Sequence, residues 1–332
     1  MITKGLDFDD VLLVPNYSHF ESRKDVSTAV RLGPYEFSIP IVSTNMDTIT
    51  GVAMAKEISA LGGLPILHRF MGVTDNEKAY QDSTSLMIYE STVRRHRTMA
   101  VQPISVGVSI GVTEGEHERF ENLYAAGARI FCLDVAHAHN KLVGRMIKTM
   151  RDFPDVFIIA GNVATYAGAD YLAGIGAGAV KVGIGAGSVC TTRQKTGFGV
   201  PQLSAIMDCS RVDIPIIADG GIRQPGDVVK ALAAGATMVM LGGMLAGTDE
   251  ALGGTTYRGM ASVGAQEDYF GSVADWKTDE GITITVERRG PVSFVIKDVV
   301  GGLRSGLTYA GAGDILALHR KAVFIEVTRG NN

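Results

Sequence analysis

A glycine-rich segment near the middle of the chain carries the strongest chemical signal in the sequence. It reads Lys181-Val-Gly-Ile-Gly-Ala-Gly-Ser-Val-Cys190-Thr-Thr-Arg193. Glycines let the backbone turn closely and present its amides and carbonyls to a ligand. A cysteine on such a polar loop, with an arginine nearby, favours the thiolate, which is the nucleophilic form. We therefore predict that Cys190 is a catalytic nucleophile.

The other two cysteines fit a structural role better. Cys132 lies inside the apolar run Ile-Phe-Cys-Leu, and Cys209 lacks the glycine-rich surroundings of Cys190. A buried thiol of this kind packs as a small apolar side chain. Three cysteines without a paired spacing indicate free thiols and a reducing, cytoplasmic setting.

Two glycine turns form the second signal. They are Ala218-Asp219-Gly220-Gly221-Ile222 and Leu241-Gly242-Gly243-Met244. The amides of such turns, together with a helix N-terminus, bind a phosphate dianion without a dedicated lysine. Asp219 would accept hydrogen bonds from ribose hydroxyls. The turns alone do not separate a nucleotide enzyme from an FMN-binding barrel, and tight turns without a ligand are the structural alternative.

Polar residues end two further predicted strands. Asp134 stands at a strand tip in Asp134-Val-Ala-His137-Ala-His139, and His68-Arg69 ends another strand. This position favours ligand contact for Asp134, His68 and Arg69. The two histidines of the first run lack a third placed ligand, so they predict a metal site only weakly.

Short apolar runs place these residues on a common scaffold. Several of the runs lack polar alternation, as expected of parallel strands that are buried on both faces. Eight βα units predict a TIM barrel, whose active site lies at the C-terminal ends of its strands. A doubly wound open sheet is the alternative fold. The predicted strands are Pro40–Ser43, Leu64–His68, Ile104–Ser109, Ile130–Asp134, Val156–Ala160, Val180–Gly183, Ile214–Ala218 and Met238–Leu241.

The predicted helices between these strands end in glycine, as in Ala-Leu-Gly-Gly at 60–63 and Ala-Ala-Gly-Ala at 233–236, where a left-handed cap is expected. After the eighth strand, the polar stretch 248–291 is too irregular for a barrel helix. We interpret it as a mobile flap over the C-terminal face. Residues 1–332 are expected to form a single catalytic domain.

Composition excludes several classes of protein. The 332 residues are 46% hydrophobic and 20% charged, with a net charge of −4, which is typical of a globular protein. No basic patch suggests a nucleic-acid partner. The N-terminus has no apolar signal segment, and no long charge-free apolar run predicts a membrane span.

These motifs together resemble the IMP dehydrogenase and GMP reductase family over essentially the whole chain. The resemblance rests on the Cys190 loop with Lys195-Thr-Gly-Phe-Gly after it, on Asn45-Met-Asp-Thr and Ala160-Gly-Asn-Val, and on Ala218-Asp-Gly-Gly and Gly301-Gly-Leu-Arg-Ser. It implies a TIM barrel, usually tetrameric, that binds GMP or IMP and a nicotinamide nucleotide.

The resemblance also implies roles for individual residues. Cys190 would attack purine C2 to form a thioimidate, and Thr192 with Glu280 would transfer protons at the C2 amine. Asp134 and Arg69 would lie near the nicotinamide cofactor. The backbone carbonyls of Gly185, Gly187 and Cys190 match a loop that binds a monovalent cation in the dehydrogenases, and K⁺ is the expected ion. The implied substrate-binding residues are Met46, Ser188, Asp219, Gly220, Gly221, Gly242, Gly243, Met260 and Ala261.

Four features favour the reductase branch, which reduces GMP to IMP and ammonia with NADPH, although NADH stays an alternative. The predicted second and third strands are too close for an inserted regulatory domain. The flap lacks the adjacent Arg-Tyr with which dehydrogenases activate water. Met240-Leu-Gly-Gly-Met-Leu-Ala-Gly and the ending after Phe324-Ile-Glu-Val-Thr resemble reductases.

Other features depart from that branch. Arg258-Gly-Met-Ala-Ser and Val299-Val-Gly-Gly-Leu-Arg-Ser-Gly resemble dehydrogenases, and Ala186 replaces a proline. The flap reads Trp276-Lys-Thr-Asp-Glu280, where reductases carry Tyr-Arg-x-Ser-Glu against the guanine. A dehydrogenase without the regulatory domain and a reductase for a related purine nucleotide therefore stay open. A regulator that binds the nucleotide without turnover is the non-enzyme alternative.

Overall fold

Eight parallel strands close into a barrel in the computed structural model, which describes residues 3–85, 105–272, 275 and 278–327. Each strand pairs with the next in chain order, and the eighth pairs with the first. The TIM-barrel prediction is therefore confirmed. The strands are Ile41–Ser43, Leu64–Leu67, Gly107–Ile110, Ile130–Asp134, Phe157–Val163, Ala179–Val182, Ile216–Asp219 and Met238–Leu241.

All eight predicted strands are found, with shifts of a few residues at their ends. The third begins at Gly107, while the predicted start at Ile104 falls outside the described residues. The fifth continues to Val163, with a register irregularity between Gly161 and Val163. The predicted strand ended at Ala160, three residues earlier.

Helices follow the strands and form the outer layer. Asn140 begins one of them, since its side chain accepts hydrogen bonds from the amides of Leu142 and Val143. The predicted glycine caps are confirmed: Gly62 and Gly235 have φ of +88° and +115°. The helices between or after the strands are Val52–Ala60, Val73–Ser85, Glu116–Ala125, Lys141–Met150, Tyr166–Gly174, Thr192–Thr196, Gln202–Cys209, Pro225–Ala233, Val263–Phe270, Val292–Tyr309 and Ile315–Lys321.

Three small antiparallel pairs complete the fold. Val11–Leu13 pairs with Phe324–Glu326, which joins the two ends of the chain. A hairpin of Val30–Leu32 and Tyr35–Phe37 precedes the first barrel strand, and its Leu32 and Phe37 pack into the apolar barrel interior. The third pair, Thr256–Arg258 with Thr283–Thr285, lies within the 248–291 stretch that the sequence marked as a flap.

The barrel interior changes from apolar to charged along its strands. Residues two apart on a strand point to the same side. Cys132, Ala179 and Ile217 belong to the apolar interior cluster. The residues two places further on are Asp134, Lys181 and Asp219, so charged groups gather where these strands end. Among the described helices, none is both long and apolar enough to cross a bilayer.

Candidate active site

A cavity of about 1150 Å³ opens at the C-terminal ends of the barrel strands. This volume exceeds the range of about 300–1000 Å³ that is typical of a pocket for one small ligand. The cavity is lined by the residues to which the sequence assigned a catalytic, substrate, cofactor or cation role: Met46, Arg69, Asp134, Gly185, Gly187, Ser188, Cys190, Thr192, Asp219, Gly220, Gly221, Gly242, Gly243, Met260, Ala261 and Glu280.

Cys190 lies on the loop between the sixth strand and the short helix Thr192–Thr196. Its amide donates to the Gly187 carbonyl at 3.1 Å, which closes a tight turn. Its half-buried thiol lies 3.1 Å from the Thr192 hydroxyl. Cys132 and Cys209 are buried instead, and burial raises the pKa of each thiol to about 12. Of the three cysteines, only Cys190 lines the cavity.

Glu280 reaches the cysteine loop from the flap region. The Thr192 hydroxyl donates to Glu280 Oε2 at 2.7 Å. Backbone hydrogen bonds hold the two segments side by side, from the Thr191 amide to the Glu280 carbonyl at 2.9 Å and from the Ile282 amide to the Val189 carbonyl at 3.0 Å. The result is a continuous hydrogen-bonded chain from carboxyl to hydroxyl to thiol.

The glycine turns after the seventh and eighth strands face the same cavity. Gly220 and Gly221 have φ of +98° and +77°, a conformation that favours glycine. A Cβ atom on Gly243 would stand 3.3 Å from the Ser188 hydroxyl oxygen. Tyr257 hydrogen-bonds Ser188 and the Gly243 backbone, and burial raises its pKa. These amides and hydroxyls form an uncharged cradle that suits an anion.

A buried lysine joins the two carboxylates of the cavity. Lys181 Nζ lies 2.8 Å from Asp134 Oδ1 and 2.8 Å from Asp219 Oδ2. Burial alone would lower the pKa of Lys181, but the two carboxylates raise it well above its usual range. Burial alone would raise the pKa of Asp134, but the Lys181 ammonium lowers it below its usual range. Both groups are therefore charged at neutral pH.

Arg69 enters the cavity from the loop after the second strand. Its guanidinium lies over the Phe70 ring and 3.6 Å from Glu116 Oε1. The neighbouring His68 does not line the cavity, so the expectation of ligand contact there is wrong. Its side chain points into the buried interior, where burial lowers its pKa to about 4.

The remaining predicted site residues lie around these groups. Met46 and Met260 line one wall, and the Ala261 carbonyl accepts the Glu280 amide at 3.1 Å. Gly185 and Gly187 lie on the cysteine loop and line the cavity, and the Gly187 carbonyl accepts the Cys190 amide. Within the described residues, no three His, Cys, Asp or Glu side chains cluster as a metal site.

Several polar residues that line the cavity were not predicted from the sequence, and three of them contact predicted site residues or their backbone. Asn162 Nδ2 donates to the Gly183 carbonyl at 2.7 Å and to Asp219 Oδ2 at 3.0 Å. Tyr257 and Lys181 are the other two. Lys181 did give a signal, because it is the one charged residue in the buried strand Ala179–Val182.

The flap contains an arginine–tyrosine contact that the sequence does not reveal. Tyr269 has no arginine beside it in the chain, but Arg119 Nη2 donates to its hydroxyl at 2.9 Å. Arg119 is buried, and it also donates to Asn76 Oδ1 and the Met71 carbonyl. Neither member of the pair lines the cavity. The contact anchors the helix Val263–Phe270 to the barrel.

Comparison with known proteins defines the family. Residues 5–331 match the family model of the IMP dehydrogenase / GMP reductase domain. The chain belongs to this family. It is 37% identical to the GMP reductase of Onchocerca volvulus, with 98% of this chain and 92% of that protein covered.

Solved structures from both branches are similar to this chain. A GMP reductase from Trypanosoma brucei, crystallised with guanosine 5′-monophosphate, superposes with a TM-score of 0.88 at 30% identity, covering 99% of this chain and 96% of its own. An inosine 5′-monophosphate dehydrogenase from Legionella pneumophila superposes with a TM-score of 0.83 at 47% identity, covering 98% and 99%. Overall similarity therefore does not separate the two branches.

Proposed function

We propose that the enzyme reductively deaminates GMP. The reaction takes GMP, NADPH and two protons to IMP, NADP⁺ and ammonium. One observation carries the proposal, which is the hydrogen-bonded chain from Glu280 through Thr192 to Cys190. In this chain the Thr192 hydroxyl lies between a carboxyl and a thiol, and the displacement of an amine needs a group that transfers a proton and a nucleophile.

The first half of the reaction exchanges nitrogen for sulfur at C2. The Cys190 thiolate adds to C2 of the purine and forms a C–S bond. Glu280, acting through the Thr192 hydroxyl, delivers a proton to the amine, and the C–N bond breaks as ammonia leaves. The product is a thioimidate on Cys190. Covalent catalysis divides one difficult displacement into two easier ones.

The second half restores the free cysteine. NADPH, when bound, supplies a hydride to C2, and the C–S bond breaks with its electron pair on sulfur. IMP is released and the thiolate is regenerated. Asp134 and Arg69 line the cavity, and they are the groups that we assign to the cofactor.

The other end of the nucleotide fits the glycine turns. We assign the phosphate to Ser188, the Gly220–Gly221 turn and the Gly242–Gly243 turn, which all line the cavity. Asp219 accepts the ribose hydroxyls, and Met46, Met260 and Ala261 contact the base. A carboxylate accepts hydrogen bonds and does not donate them, which matches the donor hydroxyls of a ribose.

An IMP dehydrogenase is the competing function, and the 47% identity with the Legionella enzyme favours it. That reaction hydrolyses the thioimidate and needs a base that activates water. Among the described residues, the Arg119–Tyr269 pair lies outside the cavity lining. Glu280 is the carboxyl that contacts Thr192. This arrangement supports amine protonation over water activation. A related purine nucleotide is a further alternative, because Trp276 and Lys277 replace the guanine-contacting residues of reductases.

We extend the proposal to the organisation of the protein. Residues 68–106 connect the second and third barrel strands, which supports a single catalytic domain without an inserted regulatory domain. We expect the 248–291 flap to open for ligand exchange, four chains to form a tetramer, and K⁺ to bind carbonyls of the cysteine loop in a cytoplasmic enzyme.

Assays in both directions test the proposed function. The protein is incubated with GMP and NADPH, and separately with IMP and NAD⁺, while the nicotinamide absorbance is followed. We expect oxidation of NADPH that depends on GMP and releases one ammonia per cofactor. Steady reduction of NAD⁺ with IMP, without reaction of GMP, would instead establish the dehydrogenase.

A further inference from the structure

Lys181 connects three strands of the barrel at the floor of the cavity. It lies on the sixth strand, while Asp134 ends the fourth and Asp219 ends the seventh. Its ammonium is 2.8 Å from one oxygen of each carboxylate. The lysine side chain is only 3% exposed, whereas each carboxylate side chain is 21% exposed toward the cavity. One cation therefore stands behind two anions that ligands can reach.

The two carboxylates need this cation to lie side by side. Both oxygens are 2.8 Å from the same nitrogen, so they can be no more than twice that distance apart. Two carboxylates this close repel, and without a cation one of them takes up a proton. The other contacts are weaker. Asn162 at Asp219 and Asn45 at Asp134 are neutral amides, and Arg69, which pairs with Glu116, acts on Asp134 only through its charge.

We propose that Lys181 is a positioning residue that serves the nucleotide and cofactor halves of the cavity at the same time. It holds the Asp219 and Asp134 carboxylates side by side and turned toward their ligands. The inference rests on the proposed function where that assigns Asp219 to the ribose and Asp134 to the cofactor. It does not depend on the direction of the reaction, since IMP and an oxidised cofactor belong to both activities of the family.

If Lys181 is the cation that both carboxylates share, a second substitution should rescue the effect of removing it. If Lys181 is removed, the repulsion from Asp134 weakens nucleotide binding at Asp219, and the repulsion from Asp219 weakens cofactor binding at Asp134. Neutralising Asp134 should then restore the nucleotide half, and neutralising Asp219 should restore the cofactor half. A residue that only stabilises the fold would give the opposite result, because a second substitution would add to the damage.

Calorimetric titration with IMP and, separately, with NADP⁺ tests this inference. We expect Lys181→Met to weaken both ligands by about tenfold or more. Adding Asp134→Asn to Lys181→Met should return IMP affinity to within about threefold of the Asp134→Asn protein, without restoring NADP⁺. Adding Asp219→Asn should restore NADP⁺ affinity and leave IMP weak.

Either of two results would overturn the inference. Lys181→Met could bind both ligands as tightly as the unchanged protein does, or neither double variant could recover affinity for its expected ligand. If Lys181→Met does not fold, the double variant with Asp134→Asn is compared with Asp134→Asn alone. In that comparison, failure to fold or a loss of IMP affinity well beyond threefold would show that Lys181 has a structural role instead.

Discussion

Thr192 and Glu280 lie 88 positions apart in the sequence, yet the hydroxyl of one donates to the carboxyl of the other at 2.7 Å. The contact joins the cysteine loop to the flap, and backbone hydrogen bonds on either side of it fix the register of the two segments. In the proposed mechanism, proton delivery to a ligand on Cys190 therefore requires this part of the flap to lie on the loop.

Replacing the proposed nucleophile should separate Cys190 from the other cysteines. We expect Cys190→Ala to lose GMP reduction by a factor of about 10³ or more, because no covalent intermediate can form. Cys132→Ala and Cys209→Ala are matched controls that should keep most activity. Rates are measured from NADPH oxidation. Appreciable turnover by the Cys190→Ala protein would contradict the covalent mechanism.

Thiol reactivity should follow the environments of the three cysteines. Since burial raises the pKa of Cys132 and Cys209 to about 12, their thiolate fraction at pH 8 is very small, and both side chains are shielded. Iodoacetamide at that pH should label Cys190 first, and GMP should slow the labelling. Peptide mass spectrometry gives the rates. Equal labelling of all three residues would show that Cys190 has no special position.

Adding even a methyl group to the glycine turns that we assign to the phosphate should weaken GMP binding. A Cβ on Gly243 would enter the space beside Ser188, and Gly221 has a left-handed backbone. We expect Gly243→Ala and Gly221→Ala each to raise KM for GMP by about tenfold.

Gly226 provides the control for these variants, because a Cβ there meets no atom within 4 Å. Gly226→Ala should leave KM unchanged. Guanosine, which lacks the phosphate, should be a far poorer substrate than GMP. If guanosine and GMP react equally well, the glycine turns do not bind phosphate.

The Arg119–Tyr269 contact predicts an effect on flap docking. Tyr269→Phe keeps the ring that packs edge-on against Phe70 at 5.4 Å but removes the acceptor of the Arg119 hydrogen bond. We expect kcat to fall about threefold to tenfold and limited proteolysis of the flap to become faster.

Tyr17 is 89% exposed, so Tyr17→Phe is a matched control that should change neither quantity. A Tyr269→Phe protein with unaltered kcat and proteolysis would show that the hydrogen bond does not hold the flap in place.

The barrel and the lining of its cavity could be predicted from the sequence for a physical reason. Parallel strands place their C-terminal ends on one face, so motifs at strand ends, such as Asp134 and Gly220–Gly221, converge wherever they lie in the chain. The predicted strand ends were less accurate. The apolar pattern begins at Ile214, before the strand Ile216–Asp219, and the predicted end at His68 lies one residue beyond the strand Leu64–Leu67.

Contacts between distant side chains could not be predicted in the same way. The sequence gives Lys181 as one lysine in an apolar strand, and its two carboxylate partners become evident only from the barrel geometry. The Arg119–Tyr269 contact spans 150 positions and has no local signal at all. His68 was assigned to the ligand face because it follows a strand, but its side chain turns into the interior.

The most direct test of Glu280 as the proton donor is a pair of assays on Glu280→Gln. One assay follows GMP reduction with NADPH, and the other quantifies, by intact mass spectrometry, the adduct that IMP and NADP⁺ form on Cys190. We expect GMP reduction to fall about 100-fold, because the amine can no longer receive a proton. Adduct formation should persist, since hydride removal from C2 involves no amine. Wild-type rates of GMP reduction by Glu280→Gln would contradict this role, and so would steady XMP release from IMP and NAD⁺ by the unchanged protein without reaction of GMP.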